Sequence, residues 1–458
     1  MHIRVWCAPD SFHLMDEADK FFGLRGFLID TPEMGTIRAY PKGAVVIQNR
    51  RIVEVGNYYD VRRTQRPTPV EWIDHGAVAI FPGLIDCHTH LPQYPVVARG
   101  ESELLPWLRE NIFPVERDFS GPKARNQAPA FFRELARNGT TTAMIYTAIY
   151  EDSCDIAFEA AKESGLRVIM GKMMMDVGSY GQLQPKKVLS VSLVESERLC
   201  RKWHRAEEGR LEYAFSPRFA VACSEKLMRS AAELAARLDA YLQTHLAENR
   251  EEIEKVHHLF MGAQDYTHVY EKCGMLTPKT VFGHCIHLKP REIEALAVAQ
   301  SNVAHCPTSN LFLGSGLMKL DQLLKAGIVV GLGSDVAAGP ELNMWQVMRG
   351  AIEVQKARTA YEANLRALRP SEALYLGTQG GARALGKGDK IGTLDVGKEA
   401  DLLVFDLNAA FPYPEDHDPV DKLSPEDVIA LCIYRGNPRA TVETYVRGKS
   451  VYRRPAGL

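Results

Sequence analysis

A chain of 458 residues exceeds an ordinary single domain, and with 46% hydrophobic and 24% charged residues it can bury a large core. This favours one large enzyme domain with an accessory domain over a small binding module. A net charge of -2 gives no electrostatic reason for nucleic acid or an anionic membrane as partner, which leaves a small molecule. The opening MHIRVWCAPDSFHL has no basic flank ahead of an apolar run, and no later stretch reaches the ~18 apolar residues of a membrane span, so a cytoplasmic protein is expected. Nine cysteines stand singly from Cys7 to Cys432 with no CxxC pair, which argues for buried small apolar residues and against disulfides or a thiolate zinc knuckle.

Along the first eighty residues, the β-rich runs GFLID, GAVVIQNRRIVEVG and AVAIF are cut by polar and Pro-containing turns. Strand-like and helix-like runs then alternate. TTAMIYTAI precedes the helical CDIAFEAAKES and the strand-like LRVIMGKMMM; KLMRSAAELAARLDA reads as helix, YLQTHLA as strand, EEIEKVHHLF as helix and TVFGHC as strand. EIEALAVAQ, SNVAHCP, LDQLLKAG, IVVGLGSD and the helical LNMWQVMRGAIEVQKAR continue the alternation. Near the C-terminus, DLLVFD and VETYVRG return to the β-rich texture of the start. Repeated β then α predicts parallel strands covered by helices, and the length fits an α/β fold built on a TIM (β/α)8 barrel better than an open sheet. No GxGxxG opens the first unit. The predicted division is a barrel over 80–388 and a small composite β-sandwich from 1–79 and 389–458.

A barrel works at the C-terminal ends of its strands, and here those ends are polar. The run FPGLIDCHTH stops on His88 and His90, two residues apart and therefore on one face of a strand at roughly 7 Å. YLQTH ends in His245 with Glu248 three residues on, TVFGH ends in His284, and IVVGLGSD ends in Asp335. Together they supply the N and O donors that zinc or iron accepts. A metal with an open position lowers the pKa of a bound water toward about 7, which is hydrolytic chemistry. The accompanying base and acid are expected from Asp335 and Glu248. His257 and His258 read as solvated helix positions, His287 as a surface residue, and His305 as a supporting group near the site. Cys87, between the ligand positions, is expected to point away from the metal.

PGLIDCHTHLPQ, HLAEN, GHC, AHCPTSN and GLGSD together resemble the amidohydrolase superfamily, a TIM barrel with a composite β-sandwich. Within it, HLPQ, LLPWLRENIFPVE, NGTTTA, GKMMMD, SPRFAVACSE, THLAEN and LGSDVAAG are similar to the guanine deaminase family. The resemblance implies one metal, usually Zn2+ with Fe2+ as the alternative, on His88, His90, His245 and Asp335. It implies catalytic roles for three residues: His284 polarises the attacking hydroxide, Glu248 protonates a ring nitrogen and Asp335 carries the water's proton to the leaving ammonia. It further implies that Gln93, Arg218 and Phe219 hold guanine together with His245, Glu248 and Asp335, and that the protein is a homodimer. Lys172 closes VIMGK, where some superfamily members bridge two metals with a carboxylated lysine; the guanine deaminase family carries a lysine in this block with one metal, so a mononuclear site is expected. GHCIHL departs from the family's local pattern. The rival readings are a deaminase or chlorohydrolase acting on a pterin, an adenosine-like compound or an s-triazine, and a metal-free scaffold, against which the intact ligand positions argue.

Overall fold

The computed structural model describes residues 20–100, 103–178, 185–411 and 422–455. The opening MHIRVWCAPDSFHL and Cys7 lie outside the described residues; the other eight cysteines are buried and free.

Strands Phe21–Asp30 (β1), Arg38–Gln48 (β2), Arg51–Asn57 (β3) and Val70–Pro82 (β4) take up the β-rich start of the chain. After Gly83 the backbone passes straight into Leu84–His90 (β5), the first of eight parallel strands. The others are Thr140–Tyr146 (β6), Arg167–Gly171 (β7), Leu211–Pro217 (β9), Tyr241–Leu246 (β10), Thr280–His284 (β11), Asn302–His305 (β12) and Val330–Leu332 (β13); a two-residue ladder, Met173–Met174 (β8), pairs beside β9. Neighbours follow sequence order from β5 to β13, and every residue of the eight strands is buried, as a parallel sheet covered on both faces requires. The strand LEYAFSP (β9) is absent from the sequence reading above because Glu212 interrupts its apolar run; the structure pairs that carboxylate with Lys387 at the bottom of the barrel.

The covering helices form where apolar residues recur at helical spacing. In Glu225–Leu238, Leu227, Met228, Ala231, Ala232 and Ala235 face the barrel, and Ser224 caps the first turn by accepting from the Leu227 N–H. The seam between β13 and β5 carries no regular ladder. It is closed by residues that also build the site: the Asp335 N–H donates to the His88 carbonyl at 2.8 Å, and Ser334 donates from its N–H (2.9 Å) and its hydroxyl (2.5 Å) to Asp86.

Strands Leu402–Asp406 (β14), Thr441–Val446 (β15) and Lys449–Arg453 (β16) join β1–β4 in one seven-stranded sheet, ordered β16-β15-β14-β4-β1-β2-β3. Leu24, Val45, Ile52, Ile80, Leu402 and Tyr445, from both ends of the chain, share one buried cluster. The composite β-sandwich expected from both chain ends corresponds to this one mixed sheet, to which both ends contribute. Arg167, buried at the start of β7, ties it to the barrel through Asp401 and Glu399.

Candidate active site

The strand-end histidines converge at the C-terminal rim of the barrel. His88, His245, His284 and Asp335, all buried, each bring one donor atom within 4.8 Å of the others. A closer arrangement includes His90. Its Nε2 lies 3.3 Å from Nε2 of His88 and 3.2 Å from Nε2 of His245, while Oδ1 of Asp335 lies 3.4 Å from His88 and 3.2 Å from His90. A tetrahedral ion about 2.1 Å from each donor has edges of about 3.4 Å, so the residues present fit one metal. His245 Nδ1 lies 2.6 Å from the Arg218 carbonyl, which only accepts; the proton therefore sits on Nδ1 and Nε2 turns a bare lone pair inward. Burial pushes His88 down to about 4 and His245 well below its ordinary value, which leaves both rings neutral and able to ligate. Burial works the other way on Asp335, yet His88 and His90 hold its carboxyl well below the usual range.

Two glycines make this packing possible. A Cβ on Gly283 would stand 2.6 Å from the His88 ring, and one on Gly333 would stand 2.7 Å from the His88 Cβ. GHC and GLGSD therefore carry glycine for the sake of a histidine far away in sequence. His284 (φ 70°) and Asp335 (φ 45°) occupy left-handed backbone, which non-glycine residues adopt at a cost and which clusters at functional sites.

One short segment steadies the proton-handling groups. Within and just after the helix Pro307–Phe312, the Ser309 hydroxyl donates to Asp335 Oδ2 at 2.6 Å, Asn310 Oδ1 accepts from His284 Nδ1 at 2.9 Å, and the Ser315 hydroxyl donates to Glu248 Oε1 at 3.3 Å. His287 is half-buried, with Nε2 2.7 Å from the Ser315 carbonyl. The expected surface position is thus corrected: the departure GHCIHL supplies an anchor for the serine beside Glu248. Burial pushes the Glu248 carboxyl up to about 7. Its backbone is fixed by a capping box at the helix Arg250–Leu259, where the Glu252 carboxylate accepts the N–H groups of Glu248 and Asn249.

Beside these groups opens a cavity of about 350 Å³, its mouth included. Gln93, Arg218 and Phe219 line it together with His90, His245, Glu248 and Asp335; Leu104, Trp107, Leu108 and Leu313 form its apolar wall. Arg218 and Phe219 reach it from the end of β9, and Gln93 from the turn Leu91–Val96 after β5.

A model of the amidohydrolase family matches residues 79–451. The chain belongs to the amidohydrolase family. It is 35% identical over 430 residues to a guanine deaminase of Escherichia coli K12, covering 93% of this chain and 95% of that one. The crystal structure of a guanine deaminase from C. acetobutylicum with guanine bound superposes with a TM-score of 0.86 at 29% identity, over 94% of this chain and all of that chain. An adenosine deaminase from Xanthomonas campestris with bound zinc does so with a TM-score of 0.79 at 26% identity, over 94% of this chain and 92% of that one.

Other residues of this amidohydrolase fall where physical chemistry sends them. Lys172 is buried but turned to Glu195 (3.0 Å) and the Ile149 carbonyl (2.9 Å), away from the clustered donors. His257 and His258 are exposed. His305 is buried with neither ring nitrogen hydrogen-bonded, and burial pushes it down to about 3, so it is neutral. Cys87 packs with Ile85 and Ala304 in the barrel interior, its Sγ 3.7 Å from the Gly381 carbonyl. Two residues were not foreseen. Tyr146 stacks on the His90 ring at 4.6 Å, and buried Glu116 receives the Gln93 amide. Tyr146 ends a strand legible in the sequence, but Glu116 stands among other charged residues in a helical stretch and gives no local signal.

Proposed function

We propose that this amidohydrolase deaminates guanine to xanthine and ammonia with one zinc ion on His88, His90, His245 and Asp335. The observation that carries the reading is that Gln93, Arg218 and Phe219 line one cavity with His90, His245, Glu248 and Asp335. Zinc is supported by the three-nitrogen, one-oxygen donor set, which Fe2+ also satisfies, and by the zinc in the Xanthomonas structure. The reading includes a homodimer, as the resemblance implies, a cytoplasmic location, as the sequence reading expects, and the division of the chain at 79/80 and 388/389. Among the described residues no helix is long and apolar enough to cross a membrane.

A divalent cation in this site lowers the pKa of a water molecule toward about 7. The residues then divide the proton traffic. Asp335 Oδ2, steadied by Ser309, takes a proton from the water whose oxygen adds to C2 of guanine. His284 donates from Nδ1 to Asn310, which leaves Nε2 without a hydrogen-bond partner and free to hold the water's remaining proton. Glu248, protonated near neutral pH, gives its proton to the ring nitrogen next to C2, so negative charge does not accumulate on the ring as the C–O bond forms. The C2–N bond then breaks: the proton held by Asp335 leaves with the amino group as ammonia, and as the C2 carbonyl forms the proton remaining on its oxygen passes by way of His284 to the Glu248 carboxylate, 3.4 Å away, which restores Glu248. Phe219 offers an apolar face to the flat ring, and Arg218 and Gln93 offer hydrogen bonds to its polar edge.

Ammonia release is to be measured on guanine, adenine, cytosine, a pterin and an amino-triazine with one metal-assayed preparation. Guanine is expected to give the highest kcat/KM. A higher value on another heterocycle would retain the metal chemistry and overturn the substrate.

A further inference from the structure

Gln93 and Arg218 face the cavity from two different elements, and a third residue behind them holds both. Glu116 is fully buried and takes no part in the cavity wall. Its Oε1 accepts from Gln93 Nε2 at 2.8 Å, and its Oε2 accepts from Arg218 in a short charge-assisted contact. The other end of the Gln93 amide, Oε1, accepts from the Ala337 N–H at 3.3 Å. A carboxylate only accepts and a backbone N–H only donates, so the two contacts permit a single orientation of the amide. The Arg218 guanidinium also lies 5.1 Å from the Phe113 ring. Phe113 and Glu116 share the helix Phe113–Arg117, which follows a π-helical turn at Leu108–Ile112; Leu104, Trp107 and Leu108 of the same segment form the apolar wall.

We propose that Glu116 is a positioning residue that selects for oxo-substituted purines: by fixing Gln93 and Arg218 at once, it makes them present N–H donors to a substrate edge that carries acceptors. The inference rests on the guanine reading above and names what enforces it. With the Gln93 orientation fixed, its second amide N–H remains for the ligand, beside the Arg218 guanidinium that lines the same cavity. Guanine meets them with O6 and N7, which accept. A 2,6-diaminopurine presents an amino group, which donates, where guanine has O6, so donor faces donor and the ligand is disfavoured.

The test is Glu116→Gln, which keeps size but has one donating and one accepting end, so it cannot accept from both Gln93 and Arg218. KM for guanine is expected to rise about tenfold or more with kcat within about threefold, because the lost contacts orient the substrate and do not handle protons. Metal content is expected to stay unchanged, and the guanine to 2,6-diaminopurine ratio of kcat/KM to fall. Because Glu116 acts through its partners, adding Glu116→Gln to Gln93→Ala and Arg218→Ala together is expected to cost less than about threefold more in kcat/KM. Should Glu116→Gln fail to fold, Glu116→Asp keeps both acceptor oxygens at shorter reach, and KM is expected to rise by a smaller factor. An unchanged KM, a multiplicative effect in the combined variant, or loss of metal with kcat would each overturn the proposal. Wild-type turnover in the same assay separates the two levels. If wild type ignores guanine, the substrate reading fails and the KM comparison on the heterocycle it does turn over decides the role of Glu116.

Discussion

Glu248 is a carboxyl group that burial pushes up to about 7, with Ser315 on one oxygen and His284 3.4 Å from the other. Replacing it with glutamine keeps the shape and removes the transferable proton. Glu248→Gln is expected to lower kcat by about 10²- to 10⁴-fold with metal content unchanged, checked by steady-state kinetics and metal analysis on one sample. Near-normal turnover with the metal in place would remove Glu248 from the mechanism. His88 supplies a second prediction at this scale. Gly283→Ala puts a Cβ where the His88 ring stands, and its expected effect is a fall in metal affinity of the order of 10- to 100-fold, read by competition with a chelator. Unchanged affinity would show that the ring can shift without cost.

At the scale of elements, the barrel strands place the ligands and the segments after them tune the ligands. HxH, HLAEN, GHC and GLGSD were legible because each follows an apolar run that reads as a strand, and a strand end in a barrel is a defined place. The strand LEYAFSP was not legible, since the partner of Glu212 is Lys387, distant in sequence. Glu116 was hidden for the same reason: its contacts with Gln93 and Arg218 join three separate segments. His287 read as a surface residue because nothing local shows that Ser315 folds back onto it. Arg167 shows what such long-range pairing is worth. It is buried between Asp401 and Glu399, so Arg167→Leu leaves buried Asp401 without a cation at the junction of sheet and barrel, while Glu399 keeps Arg447. A loss of about 3 to 5 kcal/mol in stability is expected in denaturant unfolding, with kcat/KM of the folded enzyme unchanged. A stability change under about 1 kcal/mol would show that water reaches the junction and screens the charges.

For the whole molecule, one site closes the barrel and holds the metal. The Asp335 N–H joins the His88 carbonyl across the seam where the ladder is missing, so the ligands and the closure are the same residues. An ion that binds only the folded chain stabilises it by mass action, about 4 kcal/mol at a thousand times its Kd. Chelation is therefore expected to lower the thermal midpoint reversibly, and restored zinc to recover it; a midpoint indifferent to metal would separate the site from the seam. The central claim is a single-metal guanine deaminase. Its most direct test is xanthine formation from guanine while the metal-free protein is titrated with zinc. The account predicts turnover rising in proportion to bound zinc and levelling at one ion per chain; levelling at two, or no xanthine at full occupancy, would contradict it.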